Sequence, residues 1–261
     1  MSSASRQAAP ENRYVATGEE RPVKVRALFS RIARRYDLIN DLMSWGMHRR
    51  WKRRLVERAR PLPGEKALDL CCGTGDVARA LAKSPAAGGK LPVIGLDFTE
   101  EMLAIARRIT SGSLPVRFEK GDALDLPFAD GEFQIVTVAY GLRNLADLDR
   151  GLREARRVLA PGGRLASLEF GRPRHPVLSA LYFGYLRAAL PLFGVLFFGD
   201  PHTYAYIFAT VSRFPGQREL AGRMRDAGFD EVEVDEVMGG VMGICVARKP
   251  LPGGDSTRGR P

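Results

Sequence analysis

Three acidic residues and one glycine-rich turn carry the first chemistry legible in this 261-residue chain. The stretch Leu68-Asp69-Leu70-Cys71-Cys72-Gly73-Thr74-Gly75-Asp76 takes an apolar run that ends in a carboxylate through a tight turn into a helix-like segment. Gly73 and Gly75 let the backbone turn sharply and come close to a ligand, because neither carries a Cβ. Asp97 closes the next apolar run, 22 residues beyond Gly75. A carboxylate at that place can hold both hydroxyls of a ribose. Ala78 stands where a dinucleotide fingerprint has its third glycine, and Ala is accepted there. A further acidic turn, Gly121-Asp122-Ala123, precedes Leu126-Pro127-Phe128. Together these groups suit a nucleoside-bearing cofactor.

To position them, the chain must place each turn at the end of a strand. Strands are expected near 66–71, 92–97, 115–120, 133–139 and 163–170, with helices near 75–83, 99–109 and 147–160 between them. Such alternation predicts an α/β fold with a doubly wound, mostly parallel sheet, and a ligand crevice at the carboxyl ends of its strands. Further strands fall over 231–235 and 241–248. Pro161-Gly162-Gly163 reads as a helix stop ahead of the fifth strand. Upstream, Val25, Leu28, Phe29, Ile32, Tyr36 and Ile39 recur at helical spacing, and Met47, Trp51 and Leu55 form a second stripe over 47–60. Residues 177–198 are long and apolar enough to span a bilayer, yet Arg187 and Pro191 oppose a spanning helix. They are expected to form two shorter helices, within an apolar lid insertion over 171–217.

Length and a 45% hydrophobic content suit one folded domain, expected over 21–249. The polar segment 1–20, which has no apolar signal-peptide core, is expected to be a disordered leader, and 250–261 a disordered tail. Three cysteines exclude a disulfide framework and suit a reducing cytoplasm. The net charge of +10 is concentrated in a basic helical cap over 21–60, where thirteen Lys and Arg face only Asp37, Asp41 and Glu57. Such a patch fits an anionic membrane surface, a nucleic acid, or simply a solvated helix face.

The glycine loop, Asp97 and Asp122, in that order and spacing, resemble the motifs of class I S-adenosylmethionine (SAM) methyltransferases, whose Rossmann-like sheet has seven strands, one of them antiparallel. A longer resemblance narrows the family. The run Tyr36-Asp37-Leu38-Ile39-Asn40-Asp41-Leu42-Met43-Ser44-Trp45-Gly46-Met47-His48-Arg49-Arg50-Trp51-Lys52 is similar to the signature of the ubiquinone/menaquinone biosynthesis C-methyltransferases. Tyr140-Gly141-Leu142-Arg143-Asn144 resembles that family's Phe-Gly-Leu-Arg-Asn block, and Tyr204-Ala205-Tyr206 with Pro215-Gly216-Gln217 its Tyr-x-Tyr and Pro-x-Gln block. The likeness extends over roughly 22–250. One departure is Ala139, where some relatives carry Ser.

The resemblance implies a SAM cofactor and no metal, with cofactor contacts from Tyr36, Asp69, Gly73, Thr74, Gly75, Asp97, Phe98, Met102, Asp122 and Ala123. Tyr36, Asn40 and Ser44 would close over the cofactor. It also implies methyl transfer to a ring carbon of a prenylated quinol. A phenolic hydroxyl has a pKa near ~10, so activating the ring at neutral pH calls for a base or a stabilising cation. Arg143 is the candidate for stabilising oxyanion charge, and His48 and His202 for accepting the proton. The Cys71-Cys72 form of the loop resembles menaquinone-pathway relatives, which favours demethylmenaquinone; a benzoquinol acceptor, or both, stays open. Expected partners are the quinol and, peripherally, an anionic membrane, with a homodimer allowed. Nucleic acid is not expected, because the chain has neither a separate binding module nor an Asn-Pro-Pro-Tyr motif.

Overall fold

A computed structural model of the chain describes residues 12, 14, 15, 20–110 and 112–253. Seven strands form one sheet: β1 (Ala67–Leu70), β2 (Val93–Asp97), β3 (Val116–Lys120), β4 (Phe133–Ala139), β5 (Leu159–Phe170), β6 (Asp230–Val237) and β7 (Met242–Arg248), ordered β3-β2-β1-β4-β5-β7-β6. The first five pair in parallel, while β7 runs antiparallel to both β5 and β6. Every residue of β1 and β2 is buried, as expected of central parallel strands covered on both faces.

Helices α3 (Met47–Ala59), α4 (Asp76–Ala82) and α5 (Glu100–Ile109) pack on one face, through Trp51, Leu55, Val77, Leu81 and Leu103. The opposite face carries α6 (Leu148–Val158) and α9 (Gln217–Asp226), through Leu152, Ala155, Leu220 and Met224. A third cluster gathers α1 (Glu20–Ile32), α2 (Tyr36–Ser44), α7 (Pro176–Phe198) and α8 (His202–Arg213) around Leu28, Ile39, Leu186, Tyr204 and Tyr206.

Four expectations need correction. The single stripe over 25–39 is divided: a tight turn at Ala33–Arg35 separates α1 from α2 and redirects the chain. Second, 177–198 does not divide into two helices. Pro191 sits inside one 23-residue helix, α7. An interior proline costs about 3 kcal/mol, but Tyr182, Leu186 and Leu190 bury one stripe of this helix, each side chain returning roughly 1.5–3 kcal/mol. Gly194 completes the stripe, where a Cβ would stand 2.5 Å from the Asp200 carbonyl.

Third, part of the leader is packed. Asn12 and Tyr14 are buried; the Asn12 amide accepts from the Tyr14 N–H (2.9 Å) and donates to the His202 carbonyl (2.8 Å), so two backbone groups hold it in place. Apart from these, Val15 and Glu20, the leader lies outside the described residues, as does 254–261 of the expected tail.

Fourth, part of the basic cap is neutralised within the fold. Arg54 makes two 2.8 Å bonds to Asp235, Arg58 reaches Glu233 (2.6 Å), and Lys52 reaches Asp76 (3.1 Å). Strand β6, with five acids among its eight residues, supplies counter-charge to α3. Sequence charge alone could not reveal this pairing, because some 180 residues separate the partners.

Candidate active site

Two clefts meet at the carboxyl ends of the strands. The first, with about 860 Å³ of space, is lined by Gly73, Asp97, Phe98, Met102, Asp122 and Ala123, by Gly141 and Asn144, and by Phe29 and Tyr36 from the cap. Asp97 is fixed from two sides: Oδ2 accepts from the Gly73 N–H (2.9 Å) and Oδ1 from the Thr99 N–H (2.8 Å). Burial pushes its carboxyl above the usual carboxylate range, and these backbone N–H groups oppose that by stabilising the charge. Each oxygen keeps a lone pair for a ligand hydroxyl. Gly73 has a positive φ of 54°, and a Cβ there would meet no protein atom, so the missing side chain leaves space at the cleft wall. Asp122 lines the cleft with one oxygen bound to the Leu124 N–H at 2.9 Å.

The second cleft, about 970 Å³, is aromatic: Phe29, Tyr36, Trp51, Tyr140, Phe170, Tyr182, Tyr204 and Tyr206 line it, with Asn40, Ser44, His48 and Arg143 as its polar groups. It shares Phe29, Tyr36 and Tyr140 with the first cleft. Four buried polar atoms of its lining residues have no partner among the described residues: Trp51 Nε1, Arg143 Nε, Tyr182 OH and Tyr204 OH. Leaving such a group unpaired costs about 1–3 kcal/mol, and all four belong to residues that line this cleft.

Arg143 is both structure and candidate chemistry. Its guanidinium pairs with buried Glu169 on β5 (3.3 Å), bonds the Tyr140 carbonyl, and lies 5.0 Å from the centre of the Phe170 ring. Burial pushes the Glu169 carboxyl up, and the Arg143 charge holds it down. The pair therefore presents a cation already matched by its own anion, and the bonds to Glu169 and the Tyr140 carbonyl both engage Nη1. Glu169 was missed from sequence; its only signal is an acid inside an otherwise apolar strand end, Leu165–Phe170. Tyr182 was also passed over, having no signal beyond its place in an apolar stripe.

Several expected contacts lie elsewhere. Asp69 is sealed beneath the loop, where it accepts from the Thr137 hydroxyl (2.7 Å), and burial pushes its carboxyl up to about 7. Thr74 is buried and donates to Asp37 of α2 (3.0 Å), tying cap to loop. Gly75 makes room for a neighbouring ring, since a Cβ would stand 2.6 Å from Phe118. None of these three lines either cleft. His202, at the start of α8, also lines neither; the adjacent Thr203 does. Tyr36, Asn40 and Ser44 do come together, along one side of the second cleft.

Comparison with known proteins was made on this geometry. Residues 15–249 match the model of the ubiE/COQ5 methyltransferase family. Demethylmenaquinone methyltransferase of Desulfitobacterium hafniense (strain Y51) is 37% identical over 238 residues, 90% of this chain and 93% of that protein. The Staphylococcus aureus (strain JH9) protein of the same name is 37% identical over 236 residues, 90% and 96% of the two chains. Among solved structures, a SAM-dependent methyltransferase from Thermotoga maritima superposes with a TM-score of 0.60 at 23% identity, covering 85% of this chain and 98% of its own. Haemonchus contortus phosphoethanolamine N-methyltransferase 2, in complex with SAM, gives 0.57 at 17% identity, covering 77% and 53%. These structural likenesses establish the class I methyltransferase fold.

Proposed function

The chain belongs to the ubiE/COQ5 methyltransferase family, and we propose that it methylates a ring carbon of demethylmenaquinol, forming menaquinol, with SAM bound in the first cleft. The observation that carries this reading is the junction of the two clefts at Phe29, Tyr36 and Tyr140, with four unpartnered polar atoms around the aromatic one. A naphthoquinol has flat apolar rings for the aromatic walls and two oxygens for the unpaired donors. The relatives named above as demethylmenaquinone methyltransferases favour that acceptor over a benzoquinol.

The residues of the first cleft fit the cofactor. Asp97 would hold the ribose hydroxyls, Asp122 and Ala123 the adenine edge, Phe98 and Met102 the adenine faces, and the Gly73 gap the close approach of backbone. When bound, SAM supplies a methyl group already activated by its sulfonium. The protein's part is to align that methyl with the ring carbon, worth on the order of 7–11 kcal/mol at best, and to stabilise negative charge on the ring oxygen. Arg143, whose side chain lines the second cleft, is the cation available for that charge.

The reading extends to where the prenyl tail lies. Leu38, Leu42 and Trp45 on the α2 side, and Val177, Leu181, Leu192, Val195 and Leu196 on α7, are exposed apolar residues. Tyr185 OH of α7 donates to the Met43 carbonyl of α2 (2.9 Å), and Arg35, just before α2, donates to the Phe197 carbonyl of α7, so the two helices are tied together beside the second cleft, which Met43 and Tyr185 line. Arg34, Arg50, Arg53 and Arg187 are exposed as well. Exposed apolar side chains together with exposed cations suit the surface of an anionic bilayer, from which a prenylated ring could enter.

The test is a competition assay. Purified protein is offered SAM with reduced demethylmenaquinone and the reduced demethylated benzoquinone precursor, and products are resolved by mass spectrometry. Methylation of the naphthoquinol alone is expected. Methylation of both identifies a dual enzyme, and methylation of neither, with SAM bound, overturns the quinol assignment.

A further inference from the structure

Ser44 lies one helical turn before His48, and the two are tied across the α2–α3 corner. Ser44 Oγ stands 2.6 Å from the Asn40 carbonyl and 2.8 Å from His48 Nδ1, and it also accepts from the His48 backbone N–H at 3.3 Å. A serine hydroxyl has one proton. A carbonyl oxygen cannot donate, so an oxygen pair at 2.6 Å requires that proton between Ser44 and Asn40. Nothing is left on Ser44 to give to the imidazole. Nδ1 must therefore carry the hydrogen and donate it, leaving Nε2 with its lone pair. Asp41, 3.7 Å from Nδ1, favours the same arrangement and would stabilise a proton added to the ring. His48 is buried, and it lines the aromatic cleft.

We infer that His48 is the general base of methyl transfer, taking the acceptor ring's hydroxyl proton on Nε2, in a tautomer held by the Ser44–Asn40 relay. The inference rests on the quinol reading above. In the step, the O–H bond breaks, its proton passes to Nε2, and the electron pair remains on oxygen. That pair is delivered through the ring as the carbon–methyl bond forms and the sulfur–methyl bond breaks. The ring carbon then loses its own proton to solvent as aromaticity returns, and His48 gives its proton back to the oxygen. One proton leaves overall, matching the sulfonium charge consumed.

The surroundings suit a base that is free at neutral pH. Burial, with help from the Lys52 charge, holds the imidazole below its ordinary value, while Asp41 and Asp76 oppose. Arg49 is bound to Asp41 and Lys52 to Asp76, so neither pair places a net charge beside the ring. Across the cleft stand Arg143, paired with Glu169, and the phenols of Tyr36, Tyr140, Tyr182, Tyr185, Tyr204 and Tyr206. Ser44 and Asn40 are positioning residues. Through Ser44 Oγ they engage Nδ1, so that Nε2 is the ring nitrogen left with a free lone pair.

Two measurements decide this. In ligand-free protein, long-range proton–nitrogen correlation spectra should show neutral His48, identified by its absence from His48→Gln, as the Nδ1–H tautomer; the Nε2–H tautomer overturns the inference. In anaerobic assays with reduced substrate, His48→Gln should lower kcat about 100-fold at pH 7 with SAM affinity unchanged. Its deficit should shrink as pH rises toward the hydroxyl's own ionisation, and Ser44→Ala should show a smaller loss of the same form. A His48→Gln variant with the wild-type rate and pH profile overturns the inference alone, whereas a wild-type protein that methylates no quinol removes the reading beneath it.

Discussion

The two clefts are built on different principles. The first is made at the ends of adjacent strands, by backbone turns with one carboxylate held by backbone N–H groups, and its parts follow one another along the chain from Cys71 to Ala146 with only the cap added. The second draws its walls from α1, α2, α3, β5, α7, α8 and the approach to β7, so residues from Leu28 to Met242 converge on it. One cleft offers polarity set by the backbone. The other is walled by side chains, and polar atoms of its lining residues stay unpaired among the described residues, whereas the acid of the backbone cleft is held by N–H groups. Outside the shared Phe29, Tyr36 and Tyr140, side chains of the second cleft can be altered without touching the first.

The largest effect expected separates the clefts outright. Asp97→Ala removes the acceptor for two hydroxyls, each charge-assisted bond being worth roughly 1.5–3 kcal/mol, so SAM affinity measured by calorimetry should fall at least about 100-fold. Unchanged affinity would detach Asp97 from the ribose. Next in size, Arg143→Lys keeps the charge beside Glu169 but removes the planar fork, and kcat should drop by about 100-fold with SAM affinity within roughly twofold. If SAM affinity fell in step with kcat, the independence of the two clefts would be lost.

A third experiment tests the apolar mouth of the second cleft. Trp45 is 90% exposed and the other tryptophan, Trp51, is buried, so fluescence of the protein reports chiefly on environment changes at Trp45. Vesicles containing anionic lipid should shift its emission to the blue, zwitterionic vesicles much less, and Leu181→Glu should weaken the response while leaving SAM affinity alone. Equal response to both vesicle types would remove the role of the arginines.

The smallest effect belongs to the acid sealed under the cofactor loop. Folding raises the Asp69 carboxyl from 3.8 to about 7 through burial. The folded state therefore holds a proton that the unfolded chain has released, and this group's contribution to stability is lost as pH rises from about 4 to about 7. Asp69→Asn should remove that dependence: melting temperatures of variant and wild type, compared at pH 5 and pH 8, should move in the variant's favour at the higher pH. A difference independent of pH would mean that Asp69 is charged in the folded protein.

By itself the sequence determined the sheet, its order of strands and helices, and the cofactor turns. Apolar runs ending at Asp69 and Asp97, and glycines in a turn, constrain conformation within a few residues, and local constraints are readable locally. It did not determine which of those residues face the ligand. Asp69, Thr74 and Gly75 belong to the same turn as Gly73, yet they serve Thr137, Asp37 and Phe118, because only packing decides which side of a loop meets solvent and which meets the fold. The basic cap found its counter-ions on a strand at the far end of the chain. Pro191 was absorbed into one helix because buried side chains on either side outweighed it. The aromatic cleft as a single space belongs to tertiary structure: the family blocks pointed to Arg143, His48 and Tyr204, but no local pattern announces that they will surround one space with Trp51 and Tyr182, since these contribute through separate elements whose positions are set by the core beneath them.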